Sequence, residues 1–212
     1  LPEFNVLHAD ATLLVLDKPA GLLSVPGKGE DKQDCLSGRV QQRFADARVV
    51  HRLDMATSGL LVMALGAAAQ RSLNAAFASR QVHKRYVAVV DGLLAPPVTE
   101  WGFIDLPILL DWPNRPRRII DPQGQPSCTR WRVLKHDPTG QTTRLELEPV
   151  TGRSHQLRVH LQALQHPILG DALYGTPASL VKANRLLLHA TRLELTHPVS
   201  GQAMVFSSEP PF

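Results

Sequence analysis

The sequence predicts an α+β fold with a largely antiparallel sheet flanked by helices and loops. Three observations predict it. Apolar runs of strand length stand at residues 12–16, 59–65, 86–90 and 185–195. Segments of helical period are few, at 35–45, 67–78 and 155–164. The two kinds follow one another without the regular strand–helix alternation of a parallel sheet. At 212 residues the chain is long enough for one domain, 1–212, with its own hydrophobic core. No internal repeat, low-complexity segment or flexible linker is visible.

Each element has a local cause. Thr12 to Leu16 is an apolar run that breaks at Asp17-Lys18-Pro19-Ala20-Gly21 into a turn. Leu36, Val40 and Phe44 recur at a spacing of four, which predicts a helix over 35–45 with Asp34 as its cap. Residues 59–65 lack polar alternation, so both faces of that strand should be covered. A helix follows over 67–78, with Leu73 and Phe77 on one side, and a strand over 86–90 ends at Asp91-Gly92. Seven prolines between 96 and 126 mark a long irregular stretch. Its centre, Asp111-Trp112-Pro113-Asn114-Arg115-Pro116, has the look of an ordered functional loop. Residues 127–136 and 142–148 form a hairpin through Asp137-Pro138-Thr139-Gly140, with Leu145 and Leu147 alternating with Glu146 and Glu148. Leu157, Leu161 and Leu164 then return to helical spacing over 155–164, and 185–195 is a final strand.

Composition narrows the function. Hydrophobic residues make up 43% and charged residues 20%, as in soluble globular proteins. No apolar run is long enough to span a bilayer, and the start, Leu1-Pro2-Glu3-Phe4, lacks the pattern of a signal peptide. The expected location is the cytoplasm, and a monomer is the default because no exposed apolar stripe is apparent. Cys35 and Cys128 stand far apart, which indicates neither a disulfide framework nor a cysteine zinc site, and the absence of Cys-x-x-Cys argues against zinc-dependent base deaminases. The net charge of +4 is uneven: the first 34 residues hold six acidic and three basic side chains, leaving 20 basic against 13 acidic beyond them. Basic clusters at 80–85 and 115–118, with Lys18, Lys28 and Arg52, are solvated faces or a polyanion-binding surface, and their number favours a nucleic acid.

The most informative block is His51-Arg52-Leu53-Asp54-Met55-Ala56-Thr57-Ser58 before the strand at 59–65. Arg52 and Asp54 on alternate residues point the same way along extended chain. They form either a surface ion pair of about 0–1 kcal/mol or a carboxylate held rigidly at a strand entrance. The block resembles the HRLD-x-x-TSG motif of the RluA family of pseudouridine synthases. Four further stretches resemble that family in order. They are Leu16-Asp17-Lys18-Pro19-Ala20-Gly21-Leu22, similar to its NKPxGL turn with Asp17 for the usual Asn; Lys84-Arg85-Tyr86, similar to its K-x-Y strand; Thr151 to His160 with His166 to Asp171 behind; and Leu187 to Ala190 through His197-Pro198. Within the family, the 111–116 block is most like the dual-specificity branch that acts on large-subunit ribosomal RNA and transfer RNA.

The resemblance implies the pseudouridine synthase catalytic fold without an S4 domain, so that RNA recognition falls to the catalytic domain's own loops. It implies site-specific isomerisation of uridine to pseudouridine in structured RNA, a stem-loop of 23S ribosomal RNA and a tRNA anticodon loop, by base flipping and without metal or cofactor. It places the catalytic carboxylate at Asp54, a basic partner that keeps it ionised at Arg158, and the uracil-stacking aromatic at Tyr86. Substrate-binding positions are Arg52, which fills the space of the flipped base, Leu157 as an apolar wall, and Thr57, His51 and Arg115. The residue types suit these tasks. A carboxylate can attack an electron-poor sugar or take a proton from it, a flipped base needs an aromatic face, and a guanidinium is flat and rich in donors.

Other readings of the same residues are weaker. Tyr86 and Leu157 also suit a buried core. His155 and His160 are five apart, on different sides of a helix, which fits structural histidines better than a metal site. Ser58, His51 and Asp54 lack the G-x-S-x-G elbow of a hydrolase, and no acidic cluster suggests a metal-dependent nuclease. The remaining alternative is a non-catalytic RNA-binding module or RNA chaperone with the same fold.

Overall fold

The computed structural model describes residues 4–212. Leu1, Pro2 and Glu3, part of the stretch that lacks a signal-peptide pattern, lie outside the described residues. In chain order the elements are β1 (Asn5–Ala9), β2 (Leu13–Lys18), α1 (Leu36–Arg43), β3 (Ala47–Val49), β4 (Ser58–Leu65), α2 (Ala67–Ala78), β5 (His83–Asp91), β6 (Gly102–Asp105), β7 (Ile108–Leu110), β8 (Arg118–Ile120), β9 (Cys128–Asp137), β10 (Thr142–Pro149), α3 (Gln156–Ala163), α4 (Pro177–Val181), β11 (Leu188–Thr196) and β12 (Ala203–Ser207). Among the described residues no helix is long and apolar enough to cross a membrane. The chain divides into two compact units, residues up to Lys84 with His189–Pro211, and Arg85–Leu188 with Phe212.

The first unit is built on the path β1-β2-β4-β11, with β12 on β11 and β3 on β4. Pairing is antiparallel except between β4 and β11, which run parallel through Ser58 opposite His189 and Gly59 opposite Ala190. Leu13, Leu14, Val15 and Leu16 are all fully buried, as are most residues of β4, so the unbroken apolar runs mark strands covered on both faces. The helix over 67–78 forms with those bounds. The expected Asp34 cap does not form. Cys35 is the N-cap, its Sγ accepting from the Gly38 N–H, while Asp34 turns outward to Arg39. The carboxylate finds a charged donor five residues on, and the smaller thiol satisfies the helix end. Edge strands β1 and β12, which the sequence reading did not predict, alternate between exposed and half-buried residues although Val6, Leu7, Met204, Val205 and Phe206 are apolar.

The second unit carries the antiparallel path β5-β10-β9-β6. Its central hairpin, β9–β10, forms as expected, with Leu145 and Leu147 fully buried. The stretch 95–126 is not irregular throughout. It contains β6 and a second hairpin, β7–β8, paired from Ile108 opposite Ile120 to Leu110 opposite Arg118. Ile108, with Ile120 packed beside it, buries against Val159 and Tyr174, so tertiary burial orders a segment that its prolines made look like a loop. The run at 185–195 also divides. Leu187 accepts from Val89 N–H and donates to the Leu169 carbonyl, and regular strand begins at Leu188.

Candidate active site

The motif loop of the first unit connects β3 to β4, and its backbone is gripped on both sides of Asp54. Leu53 is buried, and a single buried hydroxyl holds its peptide groups: Ser24 Oγ accepts from Leu53 N–H at 3.1 Å and donates to the Leu53 carbonyl at 2.7 Å. The Met55 carbonyl accepts from Gly21 N–H at 2.8 Å and from Lys18 Nζ at 3.1 Å. Thr57, itself buried, closes a turn by donating its N–H to the Asp54 carbonyl at 3.1 Å. Asp54 is half-buried and Arg52 exposed. Arg52 makes no ion pair among the described residues.

Lys18 explains how this loop is fixed. It has no exposed surface, and its ammonium donates to the carbonyls of Pro19, Leu22 and Met55 at 2.8, 2.7 and 3.1 Å. Burying a charge requires this matching. The expectation that Lys18 adds to a surface for polyanions is therefore corrected, because it ties the turn at 17–22 to the motif loop. The cluster at 80–85 is likewise not one exposed patch. Burial holds the Lys84 ammonium below the usual lysine range, and Arg85 lies near Glu146 and Glu148 and over the Trp101 ring.

His51 serves the scaffold. Its Nε2 accepts from Val62 N–H at 2.9 Å and its ring stacks on Phe77 at 4.6 Å. Burial, and then the nearby Lys84 charge, push its pKa down to about 3. Ser58 pairs not with His51 but with His189: its Oγ lies 2.8 Å from His189 Nδ1, His189 Nε2 lies 2.9 Å from Ser208 Oγ, and Ser208 donates to Asp17 at 2.7 Å. Since the Ser208 proton is directed at Asp17, His189 donates from Nε2 to Ser208 Oγ. Asp17, in the place of the family's usual Asn, terminates this chain.

In the second unit the Thr151 to His160 stretch forms the start of α3. Gln156 organises it, its Oε1 accepting from Thr151 Oγ1 and Arg153 N–H and its Nε2 donating to the Cys128 carbonyl and Thr129 Oγ1. Arg158 is buried and donates in parallel to both oxygens of Asp171, at 2.8 and 2.7 Å. Asp171 is fully enclosed and also accepts from Leu173 and Tyr174 N–H. Tyr86 on β5 and Leu157 on α3 are buried, and Arg115 is exposed at the tip of the β7–β8 hairpin. His160 spends both nitrogens on the fold, bonding Thr129 Oγ1 and the Leu106 carbonyl, and His155 Nδ1 bonds the Tyr174 hydroxyl. Asp171 and Ser24 are supporting residues to which sequence reasoning gave no role, and Lys18 is one to which it gave a different role. Asp171 had a signal, since it closes the His166 to Asp171 stretch, but nothing local tells which cation it meets.

The first unit carries Arg52, Asp54 and Thr57 on one clamped loop. The second carries Leu157 and Arg158 on one helix turn and Tyr86 on β5. A family model described as RNA pseudouridylate synthase matches residues 12–163. Over 212 residues the chain is 46% identical to the dual-specificity RNA pseudouridine synthase RluA of Escherichia coli (strain K12), covering 100% of this chain and 95% of that protein. Over 208 residues it is 48% identical to the protein of the same name from Yersinia pestis, covering 98% and 99%. Among solved structures, human RNA pseudouridylate synthase domain containing 1 matches with a TM-score of 0.80 at 30% identity, over 99% of this chain and 84% of that one. The chain belongs to the RluA family of RNA pseudouridine synthases, enzymes that isomerise uridine to pseudouridine in RNA.

Proposed function

We propose that this enzyme modifies a uridine in a stem-loop of 23S ribosomal RNA and one in a tRNA anticodon loop, acting in the cytoplasm as a monomer, with 1–212 as a single catalytic domain and Asp54 as the reacting carboxylate. The substrate reading rests on the likeness to relatives named as dual-specificity enzymes and on the 111–116 block. The reaction balances within the nucleotide: the C1′–N1 bond breaks, uracil turns, the C1′–C5 bond forms, the C5 proton leaves and N1 takes one up. No oxidant, reductant or energy source enters it.

The observation that carries this reading is the clamp on the motif loop. Ser24 holds Leu53 and Lys18 holds Met55, so the carboxylate between them is oriented before substrate arrives, which is how an electrostatic group does most in a transition state. By likeness to the family, Arg158 is the basic group of the site, Tyr86 stacks on the uracil, Leu157 and Thr57 contact the uridine, and His51 braces the loop. Arg52, exposed and two residues from Asp54, fills the space of the flipped base, and Arg115 binds RNA elsewhere on its path.

Asp54→Asn is expected to lower tritium release from RNA labelled at uridine C5 by about 10⁴-fold or more, with RNA affinity retained. Release at the unmutated rate would overturn the role of Asp54. Tight RNA binding by the unmutated chain with no release from any RNA would favour a non-catalytic binding module.

A further inference from the structure

The tip of the β7–β8 hairpin carries an aromatic–guanidinium stack that the fold does not use. Trp112 is 64% exposed, whereas Trp101 and Trp131 are each 8% exposed. The Arg115 guanidinium lies 4.1 Å from the Trp112 ring centroid. A tryptophan normally gains stability by burial, so one held in water is available for an external partner.

The tip is also rigid. Asp111 N–H donates to the Arg117 carbonyl and Asn114 N–H to the Asp111 carbonyl, both at 3.1 Å. The Asn114 amide donates to both Asp111 carboxylate oxygens, at 3.1 and 3.0 Å. At the base of the hairpin, Arg118 N–H donates to the Tyr174 hydroxyl at 2.8 Å, and Ile108 and Ile120 pack with Val159 and Tyr174. The indole is therefore presented on a braced stalk, and little conformational freedom remains to be lost when something stacks on it. The charge of the tip fits one class of partner. Asn114 occupies the Asp111 carboxylate, while Arg115 and Arg117, both exposed, add positive charge; Arg118 is half-buried at the base of the hairpin.

We propose that Trp112 and Arg115 form a stacking platform for an unpaired nucleobase of the RNA substrate, with the exposed Arg117 taking its phosphate. This rests on the RNA-modifying role stated above and adds a binding site to it. Stacking on an indole tolerates any base because every base has a π face, and it requires a base free of the duplex stack. The platform thus selects single-stranded loop nucleotides over continuous helix.

The test uses the full chain carrying Asp54→Asn, with a synthetic RNA stem-loop bearing a uridine-containing loop and the same stem extended into continuous duplex. The stem-loop is expected to quench the iodide-accessible tryptophan emission. Trp112→Leu should abolish that quenching and weaken stem-loop binding about tenfold without changing affinity for the duplex, and Trp112→Phe should retain most of the affinity. Equal stem-loop affinity in Trp112→Leu, equal losses on stem-loop and duplex, or emission unchanged by RNA, as for a protein partner, would each overturn the platform. Failure of the catalytic reading is separable: Trp112-dependent binding without tritium release by the unmutated chain would leave the platform standing and remove the isomerase assignment.

Discussion

Asp171 and Arg158 form a buried, bidentate ion pair, and such a pair costs most when one charge is left without the other. Asp171→Asn keeps the acceptor for Leu173 and Tyr174 N–H but removes the charge facing the guanidinium. It is expected to lower stability by about 3 kcal/mol, read as a reduced urea midpoint, and to lower turnover because Arg158 loses its orientation. An unchanged midpoint would show that the pair is not a determinant of the unit. His51 makes a pH prediction. Its folded pKa of about 3 lies below the unfolded value of about 6.5, so only the unfolded chain takes up its proton between them. The stability His51 contributes is complete above pH 6.5 and is lost as pH falls from there toward 3. His51→Gln, which keeps an acceptor for Val62 N–H, should flatten that decline in thermal melts, and an identical slope would exclude His51 as its source.

At the scale of elements, the start of β4 decides how the motif loop is held. Gly59 has φ +107, and a Cβ there would lie 2.4 Å from the Ala190 carbonyl oxygen. Only glycine permits β4 to lie this close to β11 while adopting that conformation. Gly59→Ala should cost more than about 3 kcal/mol, backbone strain and strand displacement adding together, and should appear as a large fall in Tm or loss of soluble protein. A Tm within a few degrees of the parent would mean that the strands part at little cost. Legibility at this scale followed burial. Strands β2 and β4 and helix α2 were readable because their apolar residues are continuous or helically spaced. β1, β12 and the proline-flanked β7 and β8 have apolar runs of only two to four residues, too short to read as strands, and are ordered by their partners. The Asp34 cap failed because the carboxylate had a better donor in Arg39.

Across the molecule, charge separates from catalysis. Beyond residue 34 the chain has a net charge of +7 against −3 before it, and RNA association should release counterions. Affinity of the Asp54→Asn protein for a stem-loop is expected to fall about tenfold or more between about 50 and 200 mM salt; affinity independent of salt would remove phosphate contacts from the account. Not every cation takes part, since Lys18 is turned wholly inward and Lys84 is largely withdrawn. By itself the sequence determined the fold class, the order of the principal strands and helices, and the residues of the motif loop, because short-range spacing encodes period and local motifs encode chemistry. Only the tertiary structure decided which groups hold those residues in place. Ser58 meets His189 across 131 positions, Lys18 reaches Met55 across 37, and Arg158 meets both oxygens of Asp171 across 13. Such pairings are set by which buried polar group must be satisfied once the chain has closed on itself, a condition that no local stretch of sequence carries.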